Sequence, residues 1–162
     1  VHSIRTEIAE DQAEILAIHV SAFGRADEAQ LVDRLRADGD VLLSLVAEVD
    51  SKLVGHVLFS RMWIDANAAV ALAPVAVLRE YQRQGIAADL IRDGLDDLRR
   101  HGEEIVIVLG EPRYYSRFGF SVQAAALLKS PFPPEAFMAM ELIPGALHNV
   151  SGKVRYPRAF EL

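Results

Sequence analysis

Between Pro74 and Phe120 the chain carries three groups of residues whose types and spacing could do chemistry. The first is Gln82-Arg83-Gln84-Gly85-Ile86-Ala87-Ala88, a polar turn that runs into a helical apolar pattern. The opening N–H groups of a helix have no intrahelical acceptor, and with the dipole behind them they attract phosphate or pyrophosphate. Gly85 lets backbone approach an anion closely, and Ala87 adds only a methyl group. An isolated G-x-A more often only shapes a strand-to-helix turn, so the segment gains meaning from its neighbours. The second group is Pro74-Val75-Ala76-Val77. Proline inside a strand removes a ladder donor and marks a bulge or a broken pairing. Val75, Ala76 and Val77 would then keep unpaired N–H and C=O groups, which an extended ligand with amides could use as a third strand would. A plain edge strand explains the proline equally well. The third group is Tyr114-Tyr115-Ser116-Arg117-Phe118-Gly119-Phe120. A tyrosine past the end of a parallel strand sits where open α/β sheets place their ligands. Phe118 and Phe120 read as rings that bury the segment.

Other chemistries find little support. The chain has no G-x-x-x-x-G-K-[ST], no G-x-G-x-x-G and no G-x-S-x-G. Histidines at 2, 19, 56, 101 and 148 lack metal-binding spacing, so no metal is expected. The carboxylates between residues 89 and 97 read as a solvated helix face.

The surrounding elements must position these groups. Residues 3–8 alternate loosely as a first strand. From Asp11, Ile15, Ile18, Val20 and Phe23 recur at helical intervals up to Gly24, and a second helix spans Glu28 to Ala37. Val41–Val49 and Leu53–Ile64 read as a hairpin through Asp50-Ser51-Lys52, and Ala69–Leu78 as a third strand. Ile86, Ala87, Leu90, Ile91, Leu95 and Leu98 fall on one stripe of a long helix that Gly102 can end. Ile105–Leu109 is a fully apolar run, the mark of a strand covered on both faces. Pro112 opens a short helix ending by Gly119, and Phe137–Ile143 and Val150–Tyr156 are later strands. The order predicts an α/β fold: a single mixed, mostly antiparallel sheet with a central parallel β-α-β crossover.

Composition bounds the function. At 162 residues and 17.9 kDa the chain fits one domain over 1–162, and 51% apolar residues suffice for a core. A formal charge of −6 disfavours nucleic-acid binding and an electrostatic membrane role. Without cysteine there is neither a disulfide framework nor a thiolate site. The first residues lack the apolar run of a signal peptide, and no stretch suits a membrane span, so a cytoplasmic domain is expected.

Taken together, these residues resemble the GNAT superfamily of acyl-CoA-dependent N-acetyltransferases. The family's pyrophosphate signature, [Q/R]-x-x-G-x-[G/A], is matched by Gln82, Gly85 and Ala87. Its later signature, a tyrosine four residues before Gly-Phe, is matched by Tyr115, Gly119 and Phe120. The resemblance covers residues 4–120 in element order and looks most like the bacterial YhbS-like branch. It implies acetyl-CoA as co-substrate and transfer of its acetyl group by direct attack of a small-molecule or peptide amine. The pyrophosphate would rest on the amides of Arg83, Gln84, Gly85, Ile86, Ala87 and Ala88, and the pantetheine arm along Val75, Ala76 and Val77. Tyr115 would be the acid for the departing thiolate. A homodimer is left open. Two departures stand out: Arg83 and Gln84 replace a common glycine and basic residue, and Glu111 replaces an asparagine that contacts the pantetheine arm in many members. The base is not singled out among Glu48, His56, Asp65 and Glu111. A non-catalytic acyl-CoA-binding or sensing domain is the alternative, since it needs the cradle without Tyr115; a small α/β interaction module is a third reading.

Overall fold

The computed structural model describes residues 1–161. β1 (Ser3–Thr6) leads through a 3-10 turn into α1 (Gln12–Phe23), and α2 (Asp27–Ala37) follows. β2 (Val41–Val49), β3 (Lys52–Ile64) and β4 (Asn67–Val77) then run up and down as an antiparallel meander. Asp50 and Ser51 both have positive φ, as a tight hairpin between twisted strands requires. α3 (Ile86–Arg100) carries the chain from β4 to β5 (Ile105–Leu109), which lies parallel to β4. α4 (Pro112–Tyr115), β6 (Leu128–Lys129), β7 (Phe137–Glu141) and β8 (Gly152–Arg155) complete the order. The main sheet runs β1-β2-β3-β4-β5-β7, with β8 joined to the far end of β3 and β6 to β8. This is the mixed, mostly antiparallel sheet with a parallel β-α-β crossover that the sequence predicts.

Two layers cover the sheet. Ile86, Leu90, Ile91, Leu95 and Leu98 of α3 are buried against Val57, Phe59, Val70, Leu72, Val106 and Val108. Each such helix side chain contributes roughly 1.5–3 kcal/mol, so the stripe accounts for α3 better than propensity does. Ala87, placed on the same stripe by period, is only half-buried. α1 and α2 cover the other face around Leu58 and Ala76, and the C-terminal segments cover it around Met62, Ile64 and Ile107. Among the described residues, no helix is long and apolar enough to cross a membrane. The last strands are shorter than their apolar runs suggest, Phe137–Glu141 and Gly152–Arg155, and two-residue β6 has too few positions to show a period.

One contact sets how closely α3 lies on the sheet. A Cβ at Gly94 would come within 2.3 Å of Phe59 Cε2, and Phe59 is fully buried. Gly94 is therefore a packing glycine, and its poor helix propensity is offset by the ring it admits. Gly94→Ala should destabilise the protein by about 1–3 kcal/mol through overpacking, although alanine is the better helix former. A urea titration checks this; a midpoint equal to or above wild type would contradict it.

Candidate active site

β4 and β5 are paired only at Val70–Val106 and Ala71–Ile107. Beyond Ala71 they part: β5 goes on to Leu109 beside β7, and β4 to Val77 beside β3. The parting coincides with Pro74. The β3–β4 register runs from Val57–Val75 to Phe59–Leu72, so β4 holds one extra residue at Ala73-Pro74, a β-bulge. The bulge resets the alternation, and Val75 and Val77 continue on the α3 face begun by Val70 and Leu72. β4 is thus a strand paired on one side throughout and on the other side only at its start.

Which backbone groups face the opening follows from the ladder. Leu78 N–H donates to Val54 O at 2.8 Å. Antiparallel alternation then turns the main chain of Ala76 toward His56 on β3, and that of Val75 and Val77 toward the opening. This corrects the expectation for Ala76, whose N–H and C=O are taken by the sheet. The Val77 carbonyl accepts from Gln82 Nε2 at 3.0 Å, so Gln82 ties the following turn to the strand with its side chain.

The turn itself is shaped by two positive φ angles, +64° at Arg83 and +82° at Gly85, which caps α3. At Gly85 a Cβ would meet nothing within 4 Å, so glycine is needed for its angle, and the space beside it belongs to an open cleft. That cleft, of about 490 Å³, is lined by Val77, Gln82, Arg83, Gly85, Ile86, Ala87 and Ala88, and on its far wall by Tyr114 and Arg117. The side chain of Ile86 is buried in the core, which leaves its main-chain N–H at the head of α3. Arg83 and Arg117 add positive charge to a site already favoured for anions by the helix terminus. A larger cavity, of about 1040 Å³, lies at the opposite end of β3 beside Trp63.

Tyr115 stands just past β5. Its ring lies against the backbone of Gly110, where a Cβ would come within 2.5 Å of Cε2. Edge contacts hold it to Tyr114 at 5.1 Å and Phe120 at 5.9 Å between centroids. Burial, and then neighbouring Tyr114, push its phenol up to about 12. Sequence reasoning missed Gly110; its only signal is a glycine between a buried strand and a Pro-initiated helix. Glu111 caps that helix, its carboxylate accepting from Arg113 N–H at 3.4 Å.

The base candidates separate by their partners. Glu48 is paired with Arg5, and Asp65 accepts from Lys153 N–H at 3.1 Å. His56 is fully buried in a chain of side chains: His19 Nε2 to His56 Nδ1 at 2.7 Å, His56 Nε2 to Ser44 Oγ at 2.7 Å, then Ser44 to Glu7. Arg36 Nη2 donates to both Glu7 oxygens at 2.8 and 3.0 Å. The Ser44 hydroxyl spends its one hydrogen on the carboxylate, so it accepts from His56 Nε2–H. His56 Nδ1 therefore accepts from His19 Nε2–H. Both nitrogens of His56 are occupied, and the open lone pair belongs to His19 Nδ1, buried without a partner among the described residues. The five residues come from separate parts of the chain, and no local spacing signals them.

Burial holds both imidazoles below the usual range, His19 at about 4, with nearby Arg36 a smaller cause. The unfolded chain takes up protons near pH 6.5 that the native state refuses, so stability is full above that pH and falls below it. Each histidine contributes a slope of up to about 1.4 kcal/mol per pH unit. Unfolding free energies measured between pH 6.5 and 5, above the range where carboxylates titrate, should show this decline; a flat profile would contradict the neutral pair.

The chain matches the model of the acetyltransferase (GNAT) family over residues 8–120. It is 39% identical to YhbS of Escherichia coli K12, named an uncharacterized N-acetyltransferase, over 97% of both chains. The crystal structure of E. coli YhbS in complex with CoA has a TM-score of 0.94 at 38% identity, covering 99% of this chain and 92% of that one. A GNAT family acetyltransferase from Brucella melitensis, in complex with acetyl-CoA, has a TM-score of 0.85 at 34% identity over 99% of both chains. Likeness of this extent, in sequence and in fold, settles what the split strands and the capped turn suggest: the chain belongs to the GNAT family and is an acetyl-CoA-dependent N-acetyltransferase.

Proposed function

We propose that the enzyme transfers the acetyl group by direct attack of a primary amine on acetyl-CoA held between β4 and β5, with the acceptor a small molecule or a peptide. The observation that carries this reading is the two-residue pairing of β4 with β5, which leaves Val75 and Val77 turned toward an opening beside the head of α3. In this reading the pyrophosphate lies on the turn from Arg83 to Ala88, and the pantetheine amides pair with Val75 and the N–H of Val77. Gln82 holds the turn in place through Val77 O. A preorganised N–H from β4 stabilises the oxyanion that forms when the amine adds to the thioester carbonyl. Collapse expels the CoA thiolate and leaves the amide, with the ammonium proton lost to solvent or to a base.

Tyr115 acts in the second step. A phenol at about 12 stays protonated at neutral pH. Full transfer of its proton to a thiolate of pKa about 8.5 is uphill by several kcal/mol, so its contribution is a hydrogen bond to the leaving sulfur rather than a completed transfer.

Two experiments test these assignments. Gly85→Asp is unsuitable because φ at +82° strains any side chain. Ala87→Asp separates fold from function by sign: at the second position of α3 a carboxylate favours the helix dipole by about 0.3–1 kcal/mol, while it repels the ligand's phosphates. The variant should melt at or above the wild-type temperature yet lose CoA binding at least tenfold by calorimetry; unchanged affinity would contradict the cradle. Tyr115→Phe keeps the ring and should lower kcat by about 10²-fold with little change in CoA affinity, while Tyr114→Phe changes kcat little. Equal rates for wild type and Tyr115→Phe, with chemistry rate-limiting, would remove Tyr115 from the mechanism.

A further inference from the structure

The end of β3 remote from the opening carries features that acetyl transfer does not use. There β3 leaves β2 and is joined by β8, with Trp63 opposite Arg155, and β8 is joined by β6, with Lys129 opposite Lys153. Ile64 and Val154, the neighbouring pair, are buried, so Trp63 and Arg155 share the outer face. Lys153 lies two residues before Arg155 and Lys129 lies across from it, which puts three cations and an indole on one surface. Like charges directly opposite on paired strands are destabilising. Among the described residues, no side-chain nitrogen of Lys129, Lys153 or Arg155 has a carboxylate oxygen within 4.0 Å; the Asp65 carboxylate accepts from the main-chain N–H of Lys153 at 3.1 Å.

This surface forms one wall of the cavity of about 1040 Å³. Phe132, Tyr156 and Phe160 also line it, in edge and tilted contact at 5.3 and 5.2 Å between centroids, with Tyr156 and Phe160 packed on the inner cluster of Ile64 and Val154. Arg61 and Arg158 also line it but are matched, to Glu103 and Asp38. Asp40 and Glu161 are its two carboxylates among the described residues. With the matched Arg61 and Arg158 set aside, three cations stand against these two carboxylates, a small positive excess in a chain of net charge −6. Trp63, 38% exposed, is the only tryptophan.

We propose that this cavity is a second ligand site, separate from the acetyl-CoA cleft, for an aromatic phosphate: a planar ring that stacks on Trp63 and an anionic group held by Lys129, Lys153 and Arg155. The cations select for more than one negative charge, the Trp63 indole for a flat apolar body, and the volume suits a nucleotide-sized molecule.

The lone tryptophan makes the test direct, because its fluorescence reports this cavity alone. AMP is the probe, with adenosine and inorganic phosphate as its halves, each titrated with and without saturating CoA. AMP should change Trp63 emission saturably, at least tenfold more tightly than either half, whether or not CoA is present. Lys129→Glu with Lys153→Glu, both exposed, should weaken AMP at least tenfold while leaving CoA affinity unchanged by calorimetry. No saturable change with AMP, equal affinity for adenosine, or an undiminished response in the double variant would each overturn the proposal. Since the readout is binding at Trp63, it does not depend on how acetyl transfer proceeds.

Discussion

The structure depends on an interruption: β4 and β5 are neighbours that stop bonding after two residue pairs. A parallel pair buried between helices ordinarily satisfies every main-chain group along its length, because an unpaired buried donor costs roughly 1–3 kcal/mol. Here the groups past Ala71 are left to the cleft. The cost is tolerable because each strand keeps a full partner on its other side, β3 for β4 and β7 for β5. The sheet therefore stays continuous while opening at one point, and the bulge at Ala73-Pro74 keeps the same apolar face of β4 against α3 through the gap.

Rigidity around the opening comes from close packing at glycines. Phe59 fits into the space a side chain at Gly94 would fill, and Gly55 admits Leu90 and Ile86 of the same helix. These contacts fix the height of α3 above the sheet and so the position of its first amides. Gly110 does the same at the other wall, where the Tyr115 ring rests on the end of β5. The cleft is bounded by two surfaces whose separation is set by backbone against ring.

Much of this was legible in the residues. The α3 stripe, the apolar run of β5 and the alternation of β2 and β3 announce their elements because burial imposes the period. Pro74 pointed to a bulge or a broken pairing, and Gly85 to a turn that opens a helix. Single residues misled where pairing decides: Ala76 looked as open as its neighbours, yet strand alternation turns it toward β3. Position in one strand cannot reveal which way its carbonyls face until the partner's register is known. The chain from His19 to Glu7 was invisible for a related reason. Its members lie on different elements, 37 residues apart at two of its links, and meet only through the sheet. Gly94 and Gly110 looked like ordinary glycines because the ring each admits lies elsewhere in sequence.

The bond from Gln82 to Val77 O bears on how the family's first signature position should be understood. Glutamine and arginine share no charge and little shape, but both end in N–H groups that a strand carbonyl can accept. Glutamate has the length of glutamine and would point an oxygen at an oxygen. In this chain the position thus suits a side chain that can donate a hydrogen bond within the protein. A change there would be felt first as a loosened hinge between strand and turn.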